Sequence, residues 1–213
     1  MLTLVQSHEI DQHSYLIDQM HRLRARAFGD RLCWQVKVVD GRERDEFDDA
    51  NPLYVISLNG AGNVVGSLRL LQTTGPTMLA GVFSALLEGG QTVRSPLVWE
   101  STRFCVDTSL AESDPCLGIN RITSELVCGA LEIGLLAGLT HIVTVVDVRM
   151  ERILRRTGCV MERLVPPKRI GDVLTLAVLV DCSEESLMHT VAHNSLQLPI
   201  VKPADAKRMG IAA

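Results

Sequence analysis

Aromatic side chains are scarce in this sequence, and so is any strong excess of charge. Phe, Trp and Tyr make up 4% of the 213 residues, so the core has to be built from aliphatic side chains. The formal net charge of −4 argues against a protein held mainly by a nucleic-acid backbone, although a local basic patch is compatible with it. Hydrophobic residues make up 46% and charged residues 22%, which excludes a disordered or collagen-like chain. We expect a globular protein with no nucleic-acid partner.

Long apolar runs are missing as well. No stretch reaches the roughly eighteen uninterrupted apolar residues that a membrane span requires. Residues 1–10 lack the basic start and the apolar run of a signal peptide. We therefore expect a cytoplasmic protein without a membrane span.

Metal-binding and nucleophile motifs are also absent. The six cysteines are scattered and no two have the CxxC spacing of a zinc site. No HExxH motif occurs, and none of the six histidines pairs with a Ser or Cys in a nucleophile motif. Cys128 and Cys182 lie within apolar runs, where a free thiol behaves as a small hydrophobic group. We expect reduced structural thiols and no metal site.

Helical and strand patterns alternate along the chain. Helices are predicted over residues 14–28, 119–139 and 149–157, and a last helix begins after its N-cap Ser183. Strands are predicted over residues 53–58, 64–72, 97–106, 142–146, 160–164 and 173–181. This order predicts a single α/β (α+β) domain over residues 1–213, with one mixed, mostly antiparallel sheet flanked by helices. The polar segment 40–52 is expected to be irregular, and the tail beyond Pro199 to be loosely packed.

Several charged side chains occupy positions that the pattern predicts to be buried. Arg24 falls within the apolar arc of the first helix, and Arg69 lies in the middle of a strand. The others are Asp45, Asp48, Glu100 and Arg103. A charge inside a sheet costs several kcal/mol unless it is paired, so the set predicts a network of ion pairs. A snorkelling Arg24 and a purely structural salt-bridge cluster are the alternatives.

These residues resemble the acyl-homoserine-lactone synthases of the LuxI type. The resemblance covers nearly the whole chain and includes the runs Gly66-Ser67-Leu68-Arg69-Leu70 and Trp99-Glu100-Ser101-Thr102-Arg103-Phe104. Its eight marker positions are Arg24, Phe28, Trp34, Asp45, Asp48, Arg69, Glu100 and Arg103. The resemblance implies a fold similar to that of the GCN5-related N-acetyltransferases.

The same resemblance implies an acyltransferase. It would join S-adenosylmethionine to an acyl thioester on acyl carrier protein or coenzyme A, releasing N-acyl-homoserine lactone, a quorum-sensing signal, and methylthioadenosine. S-adenosylmethionine is then a substrate and no cofactor is expected. The segment 1–52 would serve the S-adenosylmethionine side, and residues 97–195 would form the acyl-donor half. The alternatives are an acyl-CoA-dependent N-acyltransferase acting on another amine and an acyl-binding module without activity.

Roles for single residues follow from the resemblance. Glu100 would be the base, directly or through one water, and the hydroxyl of Thr102 could hydrogen-bond a thioester or acyl oxygen. Arg24, Phe28 and Trp34 would lie on the S-adenosylmethionine side, and a charged lattice would position the N-terminal segment: Asp45, Asp48, Arg69 and Arg103. Strict alternation puts Glu100 and Thr102 on one face and Arg103 on the other. We therefore expect either a β-bulge or two distinct roles.

Two features concern the acyl donor. The short helix carries Arg149, Arg152, Arg155 and Arg156, interpreted as a docking site for acidic acyl carrier protein or coenzyme A phosphates, with an ordinary solvated face as the alternative. The acyl pocket is predicted to be lined by Ile142, Thr144 and Val146. Val146 stands where family members that prefer 3-oxo chains have threonine, so we expect a preference for unsubstituted acyl chains. A water or Thr144 could supply the missing donor.

Overall fold

Five helices lie within the part of the chain that the structure, a computed structural model, describes: residues 1–87, 92–110 and 119–208. They are α1 (Ser14–Arg24), α2 (Arg121–Leu136), α3 (Val148–Arg156), α4 (Glu184–His193) and α5 (Pro203–Arg208). Side chains of Asn120, Asp147 and Ser183 accept backbone N–H groups at the starts of α2, α3 and α4. The N-cap predicted at Ser183 is thereby confirmed. No helix within these ranges is long and apolar enough to cross a membrane.

The strands form one large mixed sheet and one small hairpin within the described residues. The strands are β1 (Thr3–Gln6), β2 (Val38–Val39), β3 (Arg42–Glu43), β4 (Leu53–Leu58), β5 (Val64–Gln72), β6 (Val98–Val106), β7 (His141–Asp147), β8 (Met161–Arg163), β9 (Lys168–Ile170) and β10 (Val173–Asp181). The large sheet has the order β1-β4-β5-β6-β7-β10-β8, and β9 also pairs with β10. Among the strands just named, the pair β6 and β7 is parallel and the other pairs of the large sheet are antiparallel. The predicted mixed, mostly antiparallel sheet is confirmed.

The structure departs from the expected elements near the N-terminus. Strand β1 was not predicted, because four residues are too few to show a clear alternation. The first helix ends at Arg24 rather than at residue 28, and the chain continues in wider, π-helical turns over Ala25–Arg31. The polar segment expected to be irregular contains β3 and a turn of 3₁₀-helix over Glu46–Asp49. The polar segment carries Glu43, Asp45 and Asp48.

The two faces of the sheet are covered by different helices. On one face, α2 packs over aliphatic residues such as Val55 and Leu68. On the other face, α1 packs over Val5 and Ile56. Because side chains alternate along a strand, the same strands supply the aliphatic core beneath α2 and the polar residues beneath α1.

The C-terminal tail is packed, so the expectation of a loosely packed tail is wrong as far as residue 208. The backbone of Leu2 donates to the carbonyl of Ile200 (2.7 Å) and accepts from Lys202 (3.0 Å), which adds a short extended segment beside β1. The buried carboxylate of Glu132 accepts the N–H groups of both Ile200 and Val201 at 2.8 Å. Apolar burial and these charge-assisted hydrogen bonds together fix the tail.

The cysteines are free thiols in the described part of the chain, and Cys116 lies outside it. Cys33 is exposed, whereas the others are buried. Burial raises the pKa of Cys128 and of Cys182 to about 12, so both thiols stay protonated. The expectation that these two act as structural side chains is confirmed by their burial.

Strands β6 and β7 separate half-way along their length. They are paired from Val98 with His141 to Ser101 with Thr144, and no pairing continues beyond that point although both strands go on. The separation opens the sheet between Thr102 on one side and Val145 on the other. Arg69, which is paired with Thr102, and Arg103, the next residue of β6, lie beside this opening.

Candidate active site

A β-bulge in β6 brings Arg103 to the face that carries Thr102. Ser67 is paired with Cys105 and Arg69 with Thr102, so β6 has one residue more than β5 between these pairs. Arg103 has a φ of 53°, the left-handed conformation of a bulged residue. Of the two alternatives expected from the sequence, a β-bulge or two distinct roles for the two faces, the bulge is confirmed.

Arg24 is fully buried rather than snorkelling. Its side chain is 1% exposed, and its Nε donates to the carboxylate of Glu43 at 2.5 Å. Its Nη1 and Nη2 donate to the two oxygens of Asp48 at 2.7 and 2.9 Å. Burial alone would lower the pKa of Arg24, but Asp48 and Glu43 raise it above its ordinary value. All three nitrogens of the guanidinium are therefore committed to carboxylates of the protein.

Arg69 joins β5 to Asp48 and to a third carboxylate, that of Asp45. Its Nη1 donates to Asp45 at 2.5 Å and to Asp48 at 2.8 Å, and its Nε donates to the hydroxyl of Thr102 at 3.0 Å. Burial would raise the pKa of Asp48, yet the hydrogen bond and charge of Arg24, together with Arg69, hold it well below its usual range. The Thr102 hydroxyl accepts in this contact, so its own hydrogen stays available.

Glu43 connects the third arginine to this cluster. Its buried carboxylate accepts from Arg24 and also from the Nε of Arg103 at 3.1 Å. Arg103 reaches Asp45 with Nη2 at 2.6 Å. We call the resulting set the ion cluster: Arg24, Glu43, Asp45, Asp48, Arg69 and Arg103. Three guanidinium groups face three carboxylates, so the cluster has no net charge.

Glu100 lies beside the ion cluster without an ion pair in the described part of the chain. Its carboxylate, which is fully buried, accepts the backbone N–H groups of Met78 at 2.8 Å and Leu79 at 2.7 Å. Burial raises the pKa of Glu100 in spite of these two hydrogen bonds. The Met78 sulfur also contacts Arg69 (3.6 Å) and Arg103 (3.4 Å). A carboxyl group with a raised pKa beside an opening in the sheet is suited to proton transfer.

Two aromatic rings stand next to Arg103. Phe28 and Trp34 are stacked with ring centroids 5.2 Å apart and an angle of 12° between the ring planes. The guanidinium of Arg103 lies 5.5 Å from the centroid of Phe28. Phe28 is buried, whereas Trp34 is 42% exposed. The exposed indole therefore offers a flat surface beside the cluster for a ring system to stack on.

The residues predicted to bind the acyl donor lie on β7 and on α3, outside the ion cluster. Ile142 and Val146 are buried in the core beneath α2. The hydroxyl of Thr144 donates to the carbonyl of Ser101 at 2.9 Å, at the last paired position of β6 and β7. All four arginines of α3 are exposed, and within the described residues only Arg155 forms an ion pair, with Glu151.

A sequence comparison identifies the family. The family described as Autoinducer synthase matches residues 7–190. This chain belongs to that family. It is 42% identical over 169 residues to the acyl-homoserine-lactone synthase of Agrobacterium fabrum, covering 79% of this chain and 80% of that protein. The acyl-homoserine-lactone synthase of Pseudomonas aeruginosa is 32% identical over 173 residues, which cover 80% of this chain and 85% of that protein.

Solved structures agree with the family assignment. The acyl-homoserine-lactone synthase LasI matches with a TM-score of 0.77 at 30% identity, covering 90% of this autoinducer synthase and 94% of that chain. A CoA-dependent acyl-homoserine lactone synthase, BjaI, solved with SAM and isopentyl-CoA, matches with a TM-score of 0.84 at 25% identity, covering 95% and 92%. A Lactobacillus plantarum protein named as an N-acetyltransferase, 12% identical with a TM-score of 0.56, shares the fold. The expected similarity to N-acetyltransferases is confirmed.

The structure thus brings seven of the eight marker positions of this autoinducer synthase into contact with one another, and Glu100 is linked to them through Met78. Sequence reasoning missed Glu43 and Tyr54. Tyr54 is buried and donates its hydroxyl to Asp48 at 2.9 Å. A signal for Glu43 existed, since it lies two residues before Asp45 in the same polar segment. Tyr54 gave no signal, because a tyrosine in an apolar strand is ordinary.

Proposed function

We propose that this chain is an acyl-homoserine-lactone synthase: it acylates the amine of S-adenosylmethionine from an acyl thioester and releases methylthioadenosine as the lactone closes. The observation that carries the proposal is the position of Arg103. The bulge in β6 holds it between its carboxylate partners Glu43 and Asp45 and the ring of Phe28, beside the point where β6 and β7 separate. We place the meeting point of amine and thioester at this opening.

Arg103 is the guanidinium best placed for the substrate carboxylate. Its side chain is 10% exposed, against 1% for Arg24 and for Arg69. Within the described residues, the one hydrogen-bond acceptor of its Nη1 is the Met78 thioether, a weak acceptor, at 3.4 Å. Arg24 is saturated by Glu43 and Asp48, which favours a structural role for it. We therefore assign Arg24 to ordering the cluster and Arg103 to holding the carboxylate that later closes the lactone.

Phe28 and Trp34 would shape the S-adenosylmethionine side. The exposed face of Trp34 is suited to stacking on the adenine ring, and Phe28 supports the indole from behind at 5.2 Å. S-adenosylmethionine is a substrate in this proposal, and the reaction requires no cofactor.

Glu100 would accept the proton that the attacking amine loses. Each of its oxygens accepts one backbone N–H and keeps a second lone pair, so the proton can arrive directly or through one water. The raised pKa brings this base closer to neutral pH, where general base catalysis is most efficient. Thr102, whose hydroxyl hydrogen is not used by Arg69, would donate to the thioester oxygen.

The acyl carrier would dock on α3. The exposed Arg149, Arg152 and Arg156 form no ion pair in the described part of the chain, so their charges are available to a partner. The acidic surface of acyl carrier protein and the phosphates of coenzyme A are both complementary to them. We place the reaction in the cytoplasm, where such thioesters are made.

Release of methylthioadenosine tests the proposal. Purified protein is incubated with S-adenosylmethionine and, separately, with acyl carrier proteins and coenzyme A loaded with acyl chains of several lengths. We expect methylthioadenosine only when both substrates are present. Consumption of the thioester with another amine, without methylthioadenosine, would indicate the alternative N-acyltransferase. Binding of thioesters without any turnover would indicate an inactive acyl-binding module.

A further inference from the structure

His21 lies on the same helix as Arg24, one turn earlier, and contacts the backbone of Glu43, a member of the ion cluster. It is 7% exposed, and its Nδ1 lies 2.8 Å from the backbone carbonyl oxygen of Glu43. A carbonyl only accepts hydrogen bonds, so Nδ1 must carry the hydrogen. Burial lowers the pKa of His21, and the charge of Arg24 lowers it further, which favours a neutral ring protonated on Nδ1.

The segment that this bond holds has little packing of its own. The β2–β3 hairpin pairs only two residues on each side, and both valines of β2 are exposed. Arg42 of the hairpin also pairs with Asp18 of α1, but both side chains are partly exposed, so that ion pair contributes little. The bond from His21 is a buried backbone contact between α1 and the hairpin.

Glu43 is the acceptor that Arg24 and Arg103 share. If its backbone shifts, its carboxylate leaves both guanidinium groups, and Arg103 loses its Nε partner. Because Arg103 is the most exposed arginine of the cluster, its orientation is the most sensitive to that loss.

We propose that His21 is a positioning residue: through its hydrogen bond to Glu43 it fixes the orientation of Arg103 and so the binding of S-adenosylmethionine. The kinetic consequence of this inference rests on the proposed function. His21 itself is not proposed to touch the substrate. In the proposed function the acyl donor contacts Thr102 and α3, neither of which is the hydrogen-bond partner of His21, so we expect its KM not to depend on His21.

Two substitutions separate the hydrogen bond from the packing of the ring. His21→Asn keeps an N–H donor at the same number of bonds from Cα as Nδ1, whereas His21→Gln places the amide one bond farther away. The ring lines a cleft of about 350 Å³ that also borders Ser14, Asp18 and Tyr54. A smaller side chain here enlarges an existing cleft instead of leaving a closed void.

Steady-state kinetics in both substrates test the proposal. For His21→Gln we expect KM for S-adenosylmethionine to rise about tenfold, the size of effect that loss of one buried hydrogen bond produces. KM for the acyl donor should stay unchanged, and His21→Asn should remain within about threefold of wild type for both substrates. An unchanged KM for S-adenosylmethionine in His21→Gln, or equal losses in the two variants, would overturn the proposal.

A second measurement needs no turnover and so separates this inference from the proposed function. Long-range ¹H–¹⁵N NMR of the wild-type protein reports which imidazole nitrogen of His21 carries the hydrogen. We expect hydrogen on Nδ1. A ring protonated only on Nε2 would overturn the inference, whatever the activity assays show. Absence of methylthioadenosine with hydrogen on Nδ1 would instead refute the proposed function and the kinetic role of His21, leaving only the contact.

Discussion

Replacing Arg24 with alanine removes the guanidinium that joins Glu43 to Asp48. Loss of one partner from a buried ion pair costs about 3–5 kcal/mol, because the remaining charge stays buried. Asp48 keeps Arg69 and Glu43 keeps Arg103, so we expect the lower end, about 3 kcal/mol. With a urea m-value of about 2 kcal/mol per M, the unfolding midpoint falls by about 1.5 M.

The free energy of unfolding should differ between wild type and Arg24→Ala by an amount that depends on pH, which provides a second check. The pKa of Asp48 in the folded protein lies below its unfolded value of about 3.9. Its stabilising contribution is therefore fully present above that pH and is lost as the pH falls below it. The difference between wild type and Arg24→Ala should accordingly shrink in urea titrations at about pH 3.

Arg26→Ala is the matched control for Arg24→Ala. Arg26 lies two residues away, its side chain is 54% exposed, and its ion pair with Asp107 is 3.4 Å long. We expect a change below about 1 kcal/mol for this variant. A loss that is equally small for Arg24→Ala would refute the reasoning, because the cluster would then contribute no more than a surface ion pair.

The remaining predictions concern catalysis and the acyl donor. Glu100→Gln should lower kcat by about 10²–10⁴, and near-normal turnover would remove Glu100 from the mechanism. Because the amide nitrogen of glutamine cannot accept one of the two backbone N–H groups, we also expect the variant to lose about 1–3 kcal/mol of stability. In the wild type the acid limb of kcat/KM should lie above the ordinary glutamate pKa of about 4.3, because the pKa of Glu100 is raised. In competition between matched thioesters, wild type should prefer the unsubstituted chain over the 3-oxo chain by about tenfold, since Val146 has no donor and the Thr144 hydroxyl donates to Ser101. Val146→Thr should reduce that preference. A wild-type preference for the 3-oxo chain would contradict the prediction. Arg152→Glu should raise KM for the acyl donor severalfold at low salt and leave KM for S-adenosylmethionine unchanged, whereas the same shift at high salt would argue against electrostatic docking.

The buried charges were the most informative feature of the sequence. Arg24 could be recognised because it interrupts an apolar arc of known period, and Arg69 because it interrupts a strand. Their partners could be predicted only as a set. Which carboxylate meets which guanidinium depends on the bulge at Arg103, and the alternation left that bulge as one of two alternatives.

Other parts of the site depended on tertiary packing. Glu100 is predicted to belong to the network of ion pairs, yet its carboxylate accepts two backbone N–H groups from the segment around Met78. Backbone donors in an irregular segment carry no signature in side-chain patterns. The same holds for the tail, where the carboxylate of Glu132 holds Ile200 and Val201 by their backbone.

Isotope tracing decides whether S-adenosylmethionine supplies the atoms of the lactone ring. Purified wild-type protein is given an acyl thioester and S-adenosylmethionine labelled with ¹³C in its aminobutyrate carbons, and the products are quantified by mass spectrometry. We expect the lactone ring to carry the full label and one methylthioadenosine to be released for each lactone formed. An acylated product without the label, or methylthioadenosine formed without lactone, would contradict it.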